Sequence, residues 1–106
     1  MMHKFLNEAK INQGINGFYL CKDYSIQQKT NGHEYFTLEI ADKSGTCQAI
    51  CWEDPKRFDV NQKSIGNIIK VNGAISSKNG EPQLRLWDVK NAMPEDNDKY
   101  DEGDII

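Results

Sequence analysis

The sequence is poor in several features, and each shortage excludes something. Cysteine is scarce: three in 106 residues, an odd count that cannot close a disulfide set. Cys47 and Cys51 lie in a segment that alternates like a strand. An extended chain would hold them about 13 Å apart, too far to bridge. Beyond these, only Cys21, His3 and His33 offer soft ligands, with no Cys-x-x-Cys pair, so the paired spacing of structural zinc sites is missing. No metal and no cofactor is expected. Long apolar runs are lacking too: none nears the roughly 18 residues of a membrane span. The opening MMHKFLNEAKINQG has no apolar stretch of the secretory kind, so the expected compartment is the cytoplasm. There is no phosphate-binding GxxxxGK[ST] loop and no HExxH. His33 has no evident nucleophile or metal partner, and Glu53 and Asp54 read as turn and cap residues. The chain is therefore not expected to be an enzyme.

What remains is one small domain. At this size about two thirds of the unfolded surface is buried, enough for a single core. Apolar residues make up 38% and charged residues 27%, the balance of a soluble globular protein.

Charge is segregated. The formal total is −3, yet residues 94–106, PEDNDKYDEGDII, hold six acids against Lys99 alone and carry −5. Residues 1–93 carry +2. A mildly basic body with a strongly acidic tail is a pattern of nucleic-acid-interacting chains with interaction tails. The tail opens at Pro94, is almost free of apolar residues until its end, and is expected to be disordered.

The body is punctuated regularly. GINGFYLCKDYSI (14–26) reads as a long strand. QQKTNG (27–32) is a loop whose Asn31-Gly32 pair signals a hairpin. HEYFTLEIA (33–41) alternates, with Phe36, Leu38 and Ile40 on one face and Tyr35, Thr37 and Glu39 on the other. Asp42 to Gly45 is a tight turn. TCQAICWE (46–53) alternates again. Cys47, Ala49 and Cys51 suit a tight barrel interior, and Gln48, Ile50 and Trp52 face out. Asp54-Pro55 is a cap followed by a tolerated helix start, so residues 54–64 are a short helix or an irregular connection, with Phe58 placed to plug a barrel end. NIIKVNGAISSK (67–78) is a strand with Gly73 at a bulge or bend. Lys78 to Glu81 is a hairpin turn. PQLRLWDVK (82–90) is the last strand, with Leu84 and Leu86 inward and Arg85 and Trp87 outward. Residues 1–13 form an extension in which Phe5, Leu6 and Ala9 make either an amphipathic turn or a lead-in.

An SH3-like barrel shares this periodicity. The long first strand and the connection after the third favour the other small barrel. The expected class is all-β: a five-stranded Greek-key OB-fold barrel over 14–92, with the disordered acidic tail at 93–106.

The residues also resemble a known family. Gly17-Phe18, Tyr35 to Gly45, Trp52, Val71 to Gly73 and Gln83 to Leu86 match, in order, the pattern of the OB-fold nucleic-acid-binding domain of the tRNA-anticodon type. In particular they match the N-terminal OB domain of bacterial HD-domain 3′–5′ exoribonucleases. The likeness covers about residues 14–90. It implies nucleic-acid binding. It does not imply nuclease activity here, because this sequence has no His-Asp metal pair. The tail resembles the acidic endings of single-stranded DNA-binding proteins, which dock on partners, though it closes in Ile-Ile where those have Pro-Phe. That resemblance implies partner binding through Asp101, Glu102, Asp104, Ile105 and Ile106.

Such a domain binds single strands in a positive groove with aromatic stacking platforms. Tyr35, Thr37, Gln48, Ile50 and Trp52 are expected to line that groove, with Trp52 the main platform. The competing reading packs Trp52 under the 54–64 connection. Lys22, Lys29, Lys78 and Arg85 are the expected phosphate contacts, and Lys43 and Lys70 are expected only to aid solubility. Tyr24 is a further stacking candidate at the loop mouth. A bulge near Gly17 would decide whether Phe18 or Tyr19 faces out, and Trp87 is either groove wall or distant surface. The expected function is single-stranded nucleic-acid binding, DNA before RNA, in replication, recombination or plasmid or phage maintenance. The alternatives are an OB adaptor whose groove binds a peptide, and a single-stranded RNA binder. An exposed strand edge would permit oligomers.

Overall fold

A computed structural model describes residues 3–106, so the first two residues of the expected N-terminal extension lie outside the described residues. Five strands, β1 (Gly14–Gln28), β2 (Glu34–Asp42), β3 (Gly45–Cys51), β4 (Ile68–Lys78) and β5 (Glu81–Asn91), close into a barrel in the order β1-β2-β3-β5-β4. All neighbours are antiparallel except β3 and β5, which run parallel over Ala49 to Cys51. This is the Greek-key OB-fold that the sequence pattern predicts. No helix among the described residues is long and apolar enough to cross a membrane.

Closure depends on β1 serving two neighbours. Its first half pairs with β4 from Gly14 to Leu20, and its second with β2 from Leu20 to Gln28. Between them the β2 register slips at Cys21/Asp23, leaving Lys22 as the extra residue of a bulge. A bulge bends its strand and shifts the phase of the side chains beyond it. Tyr19 and Cys21 therefore point inward before it and Tyr24 after it. A second slip falls at Asn72/Gly73, as expected for that glycine. A Cβ at position 73 would collide with the Arg85 carbonyl, so only glycine lets β5 approach.

The alternation reads out as the sequence implies. Phe36, Leu38 and Ile40 of β2, Ala49 and Cys51 of β3, and Leu84 and Leu86 of β5 are buried together in the core. Phe58 is partly buried against them, its ring 5.4 Å from Phe36, and plugs the barrel end. Of the two forms expected for 54–64, a short helix or an irregular connection, the structure shows the second, with two 3-10 turns, Pro55–Arg57 and Gln62–Ser64. Asp54 caps the first by accepting from the Lys56 N–H at 3.0 Å. Asn79 and Gly80 both take positive φ (53° and 82°), the two-residue hairpin turn that Asn-Gly favours. The cysteines are free thiols. Burial pushes Cys21 up to about 11, keeping it protonated and inert.

Both ends of the chain fold back on the barrel. The N-terminal segment makes one 3-10 turn, Leu6–Glu8, and puts Leu6 into the core. Asp42, at the end of β2, gathers that segment: its Oδ2 accepts from His3 Nε2 at 2.8 Å and from the Leu6 N–H at 2.9 Å. Burial alone would raise the Asp42 carboxyl. Hydrogen bonds from Ser44, His3 and Leu6 outweigh it and hold the group below the usual carboxylate range.

The acidic tail is not disordered. Pro94–Lys99 is a 3-10 segment, and Glu102–Ile105 is one short helical turn, α1. The count of charges overlooked two apolar anchors. Tyr100 packs its ring 4.8 Å from Phe18, and Ile105 is 2% exposed. The Lys43 N–H donates to the Asp104 carbonyl at 3.0 Å, and Asp101 caps α1 by accepting from Gly103 at 2.9 Å.

Candidate nucleic-acid interface

The outward residues of β2, β3 and β5 fall into rows set by register. Thr37 pairs with Ile50, and Ile50 with Arg85. One step along, past Phe36 and Cys51, stand Tyr35 and Trp52, with Trp87 following Leu86 on β5. Their neighbours Phe36, Cys51 and Leu86 are fully inward, so the pleat sends these three aromatic side chains out.

Trp52 lies just past the end of β3 and is 43% exposed. Its ring is 4.5 Å from that of Tyr35, tilted by 35°. The β1–β2 loop carries a cation to the same ring. That loop is closed by the Lys29 N–H to the His33 carbonyl at 2.7 Å and the Gly32 N–H to the Lys29 carbonyl at 2.9 Å. Lys29 Nζ then donates to the Trp52 carbonyl at 3.3 Å and stands 5.6 Å from the ring centre. A lysine over an indole is attracted by the ring quadrupole, and this contact fixes the orientation of the platform. Trp52 is thus an exposed ring on the barrel wall; it does not pack under the 54–64 connection as outer core.

Two grooves meet at Trp52. One, of about 530 Å³, is lined by Lys29, His33, Lys56 and Arg57, with Glu34, Glu53 and Asp54 among them. The other, of about 340 Å³, is lined by Asn12, Ser76, Arg85 and Trp87. An exposed ring shared by two grooves, with Lys29, Lys56 and Arg57 in one and Arg85 in the other, suits stacked bases with phosphates at those cations, although Glu53 borders both grooves. Arg57 is partly committed, donating to Glu53 at 2.8 Å.

The structure sorts the predicted residues unevenly. It brings together Lys29, Tyr35, Trp52 and Arg85, with half-buried Thr37 in the adjoining row. Ile50 belongs to that outward row but is only 4% exposed. On the middle strand, flanked by Thr37 and Arg85, its short side chain is closed over, so it serves as floor and cannot stack on a base. Tyr24 is excluded outright. The bulge at Lys22 turns it inward, where its ring lies 5.5 Å from Phe36 and burial raises its hydroxyl. Gln48 is exposed but donates to Glu39 at 3.2 Å, one row away. Lys22 is exposed at the bulge, and Lys78 sits at the β4–β5 turn opposite Glu81; neither lines the two grooves. Of the tail residues, Asp101, Glu102 and Ile106 are exposed and Asp104 is half-buried. Ile105 is buried against the barrel and is not presented to a partner.

Sequence reasoning missed Lys56 and Arg57; Trp87, left open between groove wall and distant surface, lines the second groove. The signal for the first two was present: Asp54-Pro55 sets a turn one residue past Trp52, after Glu53, and the next two residues are basic. For Phe18 and Tyr19 the structure decides. Tyr19 is inward, with its hydroxyl donating to the Lys4 carbonyl at 2.6 Å. Phe18 is outward and covered by the tail.

No protein-family profile matches the chain. Among individual proteins it is similar to the 3′–5′ exoribonuclease YhaM of Oceanobacillus iheyensis, with 31% identity over 87 residues. That alignment covers 82% of this chain and 27% of the relative, so the chain spans about a quarter of the relative's length. Among solved structures it resembles the second OB-fold domain of replication protein A from Methanococcus maripaludis, with a TM-score of 0.53, 16% identity, and 85% and 94% of the two chains covered. It also resembles Rim1, a mitochondrial single-stranded DNA-binding protein of S. cerevisiae, with a TM-score of 0.52, 16% identity, and 77% and 96% covered. The resemblance read from the sequence holds, and the OB-fold is shared.

Proposed function

We propose that this chain binds single-stranded nucleic acid across the outer face of β2, β3 and β5. Bases stack on Trp52 and Trp87, and phosphates are met by Lys29, Lys56, Arg57 and Arg85. The observation that carries the reading is the exposed Trp52 ring, braced by Tyr35 and Lys29 and shared by two grooves in which cations and carboxylates are mixed. The solved neighbours named for replication protein A and for single-stranded DNA binding support it. The proposal is of binding alone: the exoribonuclease activity in the relative's name belongs to a protein of which this chain spans 27%.

That same name favours a second reading, in which the strand is RNA rather than DNA. Stacking serves either, since every base has a π-face. Anisotropy titrations of labelled oligothymidylate and oligouridylate at low and moderate salt test both. Saturable binding that weakens with salt is expected, with a log–log slope of about −0.7 per phosphate neutralised on single strands. Absence of binding to either polymer at low salt would overturn the proposal and turn attention to a peptide ligand.

A further inference from the structure

A second aromatic-and-lysine row lies elsewhere on the barrel wall. Phe18 of β1 pairs with Lys70 of β4, and Lys70 with Lys90 of β5. Their strand neighbours Tyr19, Ile69, Val71 and Val89 are all in the core, so the row faces outward. Phe18 is nevertheless only 4% exposed, although it is not part of the main core cluster.

Its cover is the acidic tail. The Tyr100 ring lies 4.8 Å from Phe18 and tilted by 35°, while Lys70 Nζ stands 5.9 Å from the other partner's ring centre, that of Phe18. On one side of Tyr100, Asp96 is held below the usual carboxylate range by the Met93 N–H and Lys99, with the charge of Lys90 adding to the effect. On the other side, Asp104 Oδ1 is 3.6 Å from Lys43 Nζ, and Ile105 anchors the end. An aromatic ring between carboxylates thus rests on an aromatic ring beside lysines.

We propose that the Phe18–Lys70–Lys90 row is a second binding surface for single-stranded nucleic acid, and that the tail occupies it as a built-in competitor. Tyr100 stands where a base would stack, and Asp104, 3.6 Å from Lys43 at the edge of the row, stands where a phosphate would lie, while Asp96 is paired within the tail to Lys99. The inference rests on the nucleic-acid reading for its ligand class but not on the Trp52 site. Displacement is feasible because the tail is lightly held. One buried isoleucine, one aromatic pair and the Lys43 contacts to Asp104 must offset the entropy of ordering about a dozen backbone residues.

The test uses the full chain and fluorescein-labelled oligouridylate and oligothymidylate. Ile105→Asp forces a carboxylate into the anchor site and releases the tail; Ile105 is buried but lies outside the main core cluster, so the barrel is expected to stay folded, which a thermal melt checks. Tyr100→Ala is a milder second release. Amide spectra of Gly103 report whether the tail has left. If the tail is docked about nine-tenths of the time, release tightens binding at this surface about tenfold. The gain should survive Trp52→Ala and disappear with Phe18→Ala or with Lys70→Glu/Lys90→Glu. A released tail with no gain, or a gain that neither change at the row removes, overturns the proposal. So does a row that binds a synthetic peptide of residues 94–106 in trans but no oligonucleotide, which would make it an acidic-peptide site. If Trp52→Ala leaves wild-type affinity intact while Phe18→Ala removes the gain, the Trp52 reading fails and this one stands.

Discussion

The rings of Tyr35 and Trp52 lie 4.5 Å apart although Trp52 is one residue beyond the end of β3. Tyr35 is fixed by the pleat next to buried Phe36, and Lys29 holds the Trp52 carbonyl from the opposite loop. The indole is therefore set in place before any ligand arrives, and an ordered platform loses little entropy on binding.

Trp52→Ala should lower affinity for single strands by about 1–3 kcal/mol, or about 5- to 150-fold. Thermal stability should change little, because the ring is 43% exposed. Tyr35→Ala should weaken binding less, since it braces the platform. Anisotropy titration beside a thermal melt separates the two effects.

The cations are distinguishable by position. Lys56→Ala and Arg85→Ala should each reduce the magnitude of the log–log salt slope by about 0.7. Arg57→Ala should reduce it by less, because Glu53 already takes part of its charge. Lys78→Ala should leave the slope unchanged, since Lys78 lines neither groove. Titrations at several salt concentrations report all four.

Tyr24 gives a clean contrast between core and site. Tyr24→Ala should destabilise the fold by about 3–5 kcal/mol, as large-to-small aromatic changes in cores do. Tyr24→Phe keeps the ring against Phe36 and should leave strand affinity at the wild-type value. Denaturant unfolding and anisotropy together check both.

Acid should release the N-terminal segment. The Asp42 carboxyl is lower in the folded chain than its ordinary 3.8. Its stabilisation is therefore fully present above that value and is lost as pH falls below it. Asp42→Asn should cost about 1–3 kcal/mol at neutral pH, through weakened bonds to His3, Leu6 and Ser44, and should flatten the acid limb of a stability-versus-pH curve.

Much of the barrel was legible because period-two alternation and turn chemistry are local. Phe36, Leu38 and Ile40 inward, Gly73 at a slip and Phe58 at the barrel end all follow from residues close in sequence. What failed was non-local. Cys21-Lys22-Asp23 carries no glycine to announce a bulge, yet the slip there moves Tyr24 from the surface to the core. Ile50 alternates outward as predicted, but its burial depends on what β2 and β5 place beside it. The tail looks disordered by composition because its few apolar residues have value only against a barrel surface the composition does not describe. Lys56, Arg57 and Trp87 join the candidate site through the meeting of a connection and two strands far apart in sequence.

The most direct test of the central claim is intrinsic fluorescence of Trp52 in a Trp87→Phe variant, where it is the single tryptophan. Titration with unlabelled oligouridylate and oligothymidylate at low salt should quench that emission saturably, with the same midpoint as anisotropy of a labelled strand. Strand binding by anisotropy with no change in Trp52 emission would contradict the account, as would the absence of any binding at low salt.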